Sequence, residues 1–206
     1  MRGSLIVLEG CDRVGKTTQC VKLIEKIAAY SGKASLLKFP DRSSLTGGLI
    51  DNYLRNKLEL TDKVVHLLFS ANRWELEPKM KNLLLNGTHL VVDRYAFSGV
   101  AYSAAKDGMD MEWCRSPDIG LPRPDLVVYL DLDPKSAASR IGYGEERYES
   151  RKFQEAVRNN FLKLKESYWM IVDARKSVDD MHEEIWDRVR KTIDECWKEP
   201  IEKLWC

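Results

Sequence analysis

An α/β fold, a parallel sheet covered by helices on both faces, is predicted by three observations. Strand-like and helix-like segments alternate from one end of the sequence to the other. A glycine-rich turn joins the first strand to the first helix. No repeat, low-complexity stretch or interdomain linker interrupts the pattern, and 206 residues suit one domain, 1–206, with a sizeable core.

Ser4–Glu9 is short and apolar and supplies the first strand. Beyond the turn, Val21, Leu23, Ile24, Ile27 and Ala28 recur at helical spacing, and Ser31-Gly32 ends that helix. Ala34–Phe39 predicts strand two, and Gly48–Asn56 a short helix. From Thr61 to Asn86 the apolar positions Val64, Val65, Leu67, Leu68 and Ala71, then Met80, Leu83 and Leu84, keep helical period. Pro78 predicts a kink there, or a restart with the proline in a first turn. His89–Asp93 is strand three. Asp125–Leu132 is strand four, introduced by the turn-rich residues from Gly120 to Pro124. Trp169–Asp173 is strand five, and Val178–Trp197 predicts a closing helix.

Composition excludes several function classes. A hydrophobic content of 44% against 32% charged is ordinary for a globular chain. The net charge is +1 with no segregated basic block, so a nucleic-acid partner is not expected and any phosphate chemistry rests on local arginines. The apolar runs Leu5–Leu8, Leu126–Leu130 and Met170–Val172 are far too short to span a membrane. The first strand starts almost at the N-terminus, which leaves no room for a signal or transit peptide. Five cysteines, an odd number without paired spacing, read as reduced thiols. A cytoplasmic location, or a nuclear one, is the expectation. His66, His89 and His182 lie too far apart in sequence to suggest a zinc site.

The run Gly10-Cys-Asp-Arg-Val-Gly15-Lys16-Thr17 satisfies G-x-x-x-x-G-K-[ST] and sits between a predicted strand and a predicted helix. Its glycines let the backbone curl so that N–H groups point at phosphate oxygens, and the helix N-terminus adds partial positive charge. Lys16 is then placed for the β- and γ-phosphates, and the Thr17 hydroxyl for Mg²⁺. The motif predicts a P-loop three-layer fold that binds a nucleoside triphosphate, and it says little about what receives the phosphate.

Asp93 ends an apolar strand, at the edge of the sheet where open α/β folds bind ligands, and can hold Mg²⁺ directly or through water. A helix N-cap is the plainer reading of an aspartate there, but Arg94 beside it favours phosphate binding. A GTPase would need a glycine-bearing switch after strand three, and Arg94-Tyr95-Ala96-Phe97 has none. Phe39-Pro40-Asp41-Arg42 ends strand two at the same edge. Phe69 and Arg73 are four residues apart on the long helix and share a face. A ring beside a guanidinium can stack on a base and bond its edge. On that segment alone, a core phenylalanine beside a surface arginine is the commoner outcome.

Taken together, LIVLEGCDRVGKTTQ, FPDRSSLTG, HLLFSANRWE, VVDRYAFSGVAYSAAK, GLPRPDLVVYLDL and GEERYE, in this order, resemble the thymidylate kinases of eukaryotes and poxviruses. The resemblance covers essentially the whole chain, and FPDR with DRYAFSG is its most specific part. It implies a five-stranded parallel sheet with a short lid at about 140–150 and transfer of the ATP γ-phosphate to dTMP with Mg²⁺. It also implies a homodimer packed through helices, with the apolar face around Val64, Val65 and Leu68 a candidate.

The resemblance further implies roles. Asp12 meets the sugar 3′-hydroxyl, Arg42 and Arg94 hold the dTMP phosphate near Phe39, and Phe69 stacks on thymine while Arg73 donates to its O4. Ser98 and Gly99 line the base pocket, Tyr102 packs beneath C2′, and Tyr148 and Gln154 close over the monophosphate. ATP falls to the loop residues Arg13, Val14, Gly15, Lys16, Thr17 and Thr18, to Arg140 stacked on adenine, and to Lys176 and Ser177. Arg13, Lys16, Asp93 and Arg94 form the catalytic group, with Arg13 the main neutraliser of transferring charge and Gly142 and Gly144 the lid hinges. Trp186 departs from the family pattern, where an arginine near ATP is expected. A deoxynucleoside kinase, another nucleoside monophosphate kinase and a catalytically silent nucleotide-binding partner are the rival readings.

Overall fold

The computed structural model describes residues 2–133, 136, 147–148 and 150–206. Five strands, β1 (Leu5–Glu9), β2 (Ala34–Lys38), β3 (His89–Asp93), β4 (Leu126–Asp131) and β5 (Trp169–Asp173), form one sheet in the order β2-β3-β1-β4-β5. Every pairing is parallel, with Leu5 opposite Leu90, Ile6 opposite Leu126, Ala34 opposite His89 and Val127 opposite Trp169. All five strands therefore end at one edge, and the loops after β1, β2 and β3 meet there.

Burial follows position in the sheet. β1 and β3, flanked on both sides, are buried at every residue, which is why they read as continuous apolar runs. β2, at one edge, buries only Leu37 fully.

Seven α-helices surround the sheet among the described residues: α1 (Lys16–Ser31), α2 (Leu45–Leu54), α3 (Asp62–Leu85), α4 (Ala96–Ser103), α5 (Met111–Arg115), α6 (Arg151–Lys163) and α7 (Val178–Cys196). α1 runs between Gly15 and Gly32, both at positive φ. α2 starts before the expected Gly48 because the Ser44 hydroxyl caps it, accepting from the N–H of Gly47 at 3.1 Å. The restart expected at Pro78 does not occur. α3 continues through the proline, since Met80 and Leu84 beyond it are fully buried in the main core and tertiary packing outweighs the lost backbone bond. α4, α5 and α6 have no counterpart among the elements predicted above.

The main core fills both faces of the sheet, and a small second cluster of Ile50, Tyr53, Leu54 and Val65 joins α2 to α3. Val65 thus belongs to the interior and Leu68 packs against it, whereas Val64 and Leu67 remain exposed. No helix among the described residues is long and apolar enough to cross a membrane.

Candidate active site

A cleft of about 610 Å³ opens at the carboxyl edge of the sheet. The phosphate loop contributes Asp12, Arg13, Gly15, Lys16, Thr17 and Thr18, and the end of β2 contributes Phe39 and Arg42. Phe69 and Arg73 enter from α3, Asp93 and Arg94 from the end of β3, and Ser98, Gly99 and Tyr102 from α4. Tyr148 completes the wall. Residues up to 136 positions apart meet here because parallel strands deliver their following loops to one edge.

The loop has the backbone its glycines predict. Gly10 and Gly15 lie at φ 146° and 98°, and Arg13 also takes a left-handed φ of 63°. Gly10 passes so close to β4 that a Cβ would stand 2.6 Å from the Leu130 carbonyl oxygen. Val14 is buried beneath the loop and does not reach the cleft. Lys16 is buried and donates to the Cys11 carbonyl at 2.5 Å. Burial, with Arg94 nearby, pushes its ammonium down to about 8. A triphosphate would replace that carbonyl partner and favour the charged form.

Asp12 is the hub of a hydrogen-bond network in the cleft. One carboxylate oxygen is ion-paired with Arg94. The other accepts from the Tyr102 hydroxyl at 2.9 Å and from Gln154 Nε2 at 2.7 Å. Burial works against the charge of Asp12, but Arg94, Lys16 and these two donors together hold its carboxyl below the ordinary range. Gln154 also accepts from the Asp12 N–H at 3.1 Å and donates to the Tyr148 carbonyl at 2.9 Å, so it acts behind the wall rather than in it.

Arg94 sits at φ 69°, a left-handed conformation that aims its side chain back across β1. Its Nη1 donates to the Gly10 carbonyl at 3.1 Å and to the Ser98 hydroxyl at 3.2 Å, and the guanidinium lies 5.2 Å from the Tyr102 ring centroid. The turn is held by Glu9, which the sequence reading missed. Its fully buried carboxylate accepts from the N–H groups of Tyr95 at 2.8 Å and Ser98 at 3.0 Å, and from the Ser98 hydroxyl at 2.5 Å. These bonds cap α4 from the end of β1. Burial raises the carboxyl, while the donors and Arg94 oppose it. A charged residue closing an otherwise apolar strand was the available signal.

Arg42 lies across from α2 and pairs with Asp51 at 2.6 Å. Its turn, which contains a cis Phe39–Pro40 bond, is held by Asn72. That side chain accepts from the Asp41 N–H at 2.8 Å and donates to the Asp41 carbonyl at 3.1 Å. Asn72 too escaped the sequence reading. At the far end, Phe69 is half-buried and Arg73 is only 2% exposed, so the arginine is an interior group and not the surface one expected from its segment.

On the other flank, Lys176 pairs with Glu184 at 2.7 Å and the Ser177 hydroxyl caps α7, accepting from Asp180 N–H at 3.1 Å. Both follow β5 and lie outside the cleft. Trp186 packs edge-on against Tyr30 with ring centroids 5.5 Å apart, beneath the Lys26 ammonium. Arg140, Gly142 and Gly144 lie outside the described residues. Of the expected lid at about 140–150, the described residues include Arg147, which pairs with Glu59 at 2.5 Å, and Tyr148, whose hydroxyl donates to that of Tyr53 at 3.1 Å.

A family model described as thymidylate kinase matches residues 8–185, which includes every element that lines this cleft. The chain belongs to the thymidylate kinase family. It is 49% identical to the thymidylate kinase of Danio rerio, over 99% of this chain and 98% of that protein. It is 50% identical to the thymidylate kinase of Schizosaccharomyces pombe, over 91% and 92%. The solved structure of thymidylate kinase from Candida albicans superposes with a TM-score of 0.86 at 40% identity and covers 92% of each chain. The five-stranded parallel sheet and P-loop of this thymidylate kinase family member are thus the family's fold.

The donor set also fits a magnesium ion. Thr17 Oγ1 donates to Asp93 Oδ2 at 2.6 Å, so a hydroxyl and a carboxylate, both hard oxygen donors, converge beside Lys16. Among the described residues no cluster of three or more histidine, cysteine or acidic side chains forms a cage. Such sparse protein ligation suits an ion that arrives with phosphate and water.

Proposed function

We propose that the chain transfers the γ-phosphoryl group of ATP to the phosphate of dTMP, giving dTDP and ADP and so supplying DNA synthesis. The observation that carries this reading is the layout of one cleft: a phosphate loop at one end, a base-sized pocket of Phe69, Arg73 and Gly99 at the other, and Arg42 and Arg94 between. Phosphoryl transfer between two anions needs alignment and charge cancellation more than proton transfer. The attacking oxygen of dTMP is already anionic, and no general base is assigned.

In this reading the loop N–H groups and Lys16 hold the ATP phosphates, and Arg13 faces the transferring group. Arg94 holds the acceptor phosphate from the opposite side together with Arg42. Asp12 accepts from the sugar 3′-hydroxyl, and Tyr102 blocks C2′ against ribose. Arg73 can only donate, which suits the O4 acceptor of thymine and opposes the amino group of cytosine. Thr17 and Asp93 would hold Mg²⁺, which when bound would supply charge to offset that of the phosphates. Ser98 lines the base pocket with Gly99, Tyr148 closes over the monophosphate with Gln154 behind it, and Thr18, Lys176 and Ser177 border the nucleotide of ATP. The exposed Val64 and Leu67 on α3 suit a homodimer contact.

The test is a panel of nucleoside monophosphates, with thymidine included, offered with ATP and Mg²⁺ while ADP release is measured. dTMP should be the best acceptor, dUMP intermediate because a missing methyl costs about 1 kcal/mol, and dCMP poor. Faster phosphorylation of thymidine than of dTMP would replace this reading with a deoxynucleoside kinase.

A further inference from the structure

Arg73 and Asp118 form an ion pair with side chains 2% and 0% exposed. Arg73 Nε donates to Asp118 Oδ1 at 3.0 Å, and Nη2 donates to Oδ2 at 2.6 Å. The Ser70 hydroxyl, one turn earlier on α3, donates to the same Oδ1 at 2.8 Å. Asp118 ends a short 3₁₀ turn, Ser116–Asp118, and that turn is itself pinned to α3: Trp74 Nε1 donates to the Pro117 carbonyl at 2.7 Å. Behind the guanidinium lies Gly99, leaving no room for a side chain. Arg73 nevertheless lines the cleft, and its Nη1 makes no hydrogen bond with the described residues.

We propose that Asp118 is the positioning residue for base selection: it grips one edge of the Arg73 guanidinium so that the Nη1 edge presents its donors to the nucleotide. The proposal rests on reading Arg73 as the base contact. A bidentate carboxylate fixes the guanidinium plane as well as its position. It also cancels the charge of Arg73, so the base end of the cleft is a neutral donor while the phosphate end, with Lys16 and Arg94, stays cationic. That gradient orients a molecule with a neutral carbonyl base at one end and a dianion at the other. A guanidinium released from Asp118 could turn away from a cytosine amino group, and discrimination would weaken.

The experiment measures kcat/KM for dTMP and for dCMP, with KM for ATP, in the full chain and in Asp118→Asn, Ser70→Ala and Arg73→Ala. The amide of Asp118→Asn turns a donor toward Nη2, and the dTMP-to-dCMP ratio should fall by about tenfold or more, the scale for spoiling a built polar contact. KM for ATP should stay within about twofold, because ATP phosphates bind at the other end. Ser70→Ala keeps the ion pair and removes one restraint on it, so its ratio should fall less, by about twofold to fivefold. A lowered melting temperature with an unchanged ratio in both variants would overturn the proposal and leave Asp118 a structural residue. If Asp118→Asn does not fold, Ser70→Ala decides alone, and an unchanged ratio there overturns the proposal. If Arg73→Ala itself leaves the ratio unchanged, the base-contact reading fails instead.

Discussion

Gly99 and Arg73 meet so closely that a Cβ on the glycine would stand 2.6 Å from Nη2 and 3.0 Å from Nη1 of the arginine. Gly99 lies inside α4, where alanine is ordinarily better by roughly 0.5–1 kcal/mol. Here the sign should reverse. Arg73 is clamped on its other side by Asp118 and cannot step back. Gly99→Ala should destabilise the protein by about 1–3 kcal/mol, the cost of overpacking. It should also raise KM for dTMP by about tenfold through displacement of the guanidinium. Thermal melting and steady-state kinetics check both; a stabilised variant would contradict the tight fit.

Arg13 tests the charge balance at the transferring group. It lines the cleft from within the phosphate loop, in a left-handed conformation at φ 63°. Arg13→Ala should lower kcat by about 10²-fold or more, as expected for loss of a charged transition-state contact. The Kd for dTMP should change far less. Single-turnover kinetics with separate dTMP titrations distinguish the two, and a kcat near that of the unaltered enzyme would move the role elsewhere.

Arg42 separates a monophosphate acceptor from an uncharged one. Its side chain is 36% exposed at the cleft and tethered to Asp51 at 2.6 Å. Arg42→Ala should raise KM for dTMP by about tenfold or more, since a charge-assisted bond to phosphate is lost. KM for ATP should hardly move. Equal KM values for dTMP before and after the change would remove Arg42 from the acceptor site.

Stability should fall as the medium is acidified below about pH 6.5, and the cause is histidine. Burial lowers the folded-state pKa of His66, His89 and His182. The unfolded chain therefore takes up protons at a higher pH than the folded one, so stability is present above the unfolded value and is lost as pH falls toward the folded ones. Glu9, whose carboxyl burial raises, acts in the opposite sense. His89 is the clearest contributor: its Nδ1 accepts from the Ser4 N–H at 3.0 Å, which a proton there would prevent. His89→Asn keeps an acceptor without a titration. Melting curves at pH 7.5 and 5.5 should show a smaller difference for this variant than for the unaltered chain.

Much of this protein was legible before any coordinates. The three inner strands follow from apolar runs whose buried neighbours demand apolar side chains on both faces, and the observed bounds of all five strands differ from those expected by one residue at most. The phosphate loop was legible because its requirements are local: left-handed glycines, a lysine and a hydroxyl at set spacing, between strand and helix. Helices α4 to α6 were not, because α4 and α5 are short and α6 carries its buried Gln154 and Asn160 where periodicity expects apolar residues. At Pro78 propensity allowed either a kink or a restart, and burial of Met80 and Leu84 decided against the restart.

The sequence by itself determined the sheet, the loop and the family, since each depends on neighbours along the chain or on motifs in order. Only the tertiary structure decided how the site is held. Asp118 reaches Arg73 across 45 positions, Glu9 reaches Ser98 across 89, and Gln154 reaches Asp12 across 142. Those partners have no common periodicity or spacing to read, because they meet through the return of separate loops to one edge of the sheet. Once buried there, a charge must find its counter-charge or its hydrogen bonds, and that requirement acts in space, not along the sequence.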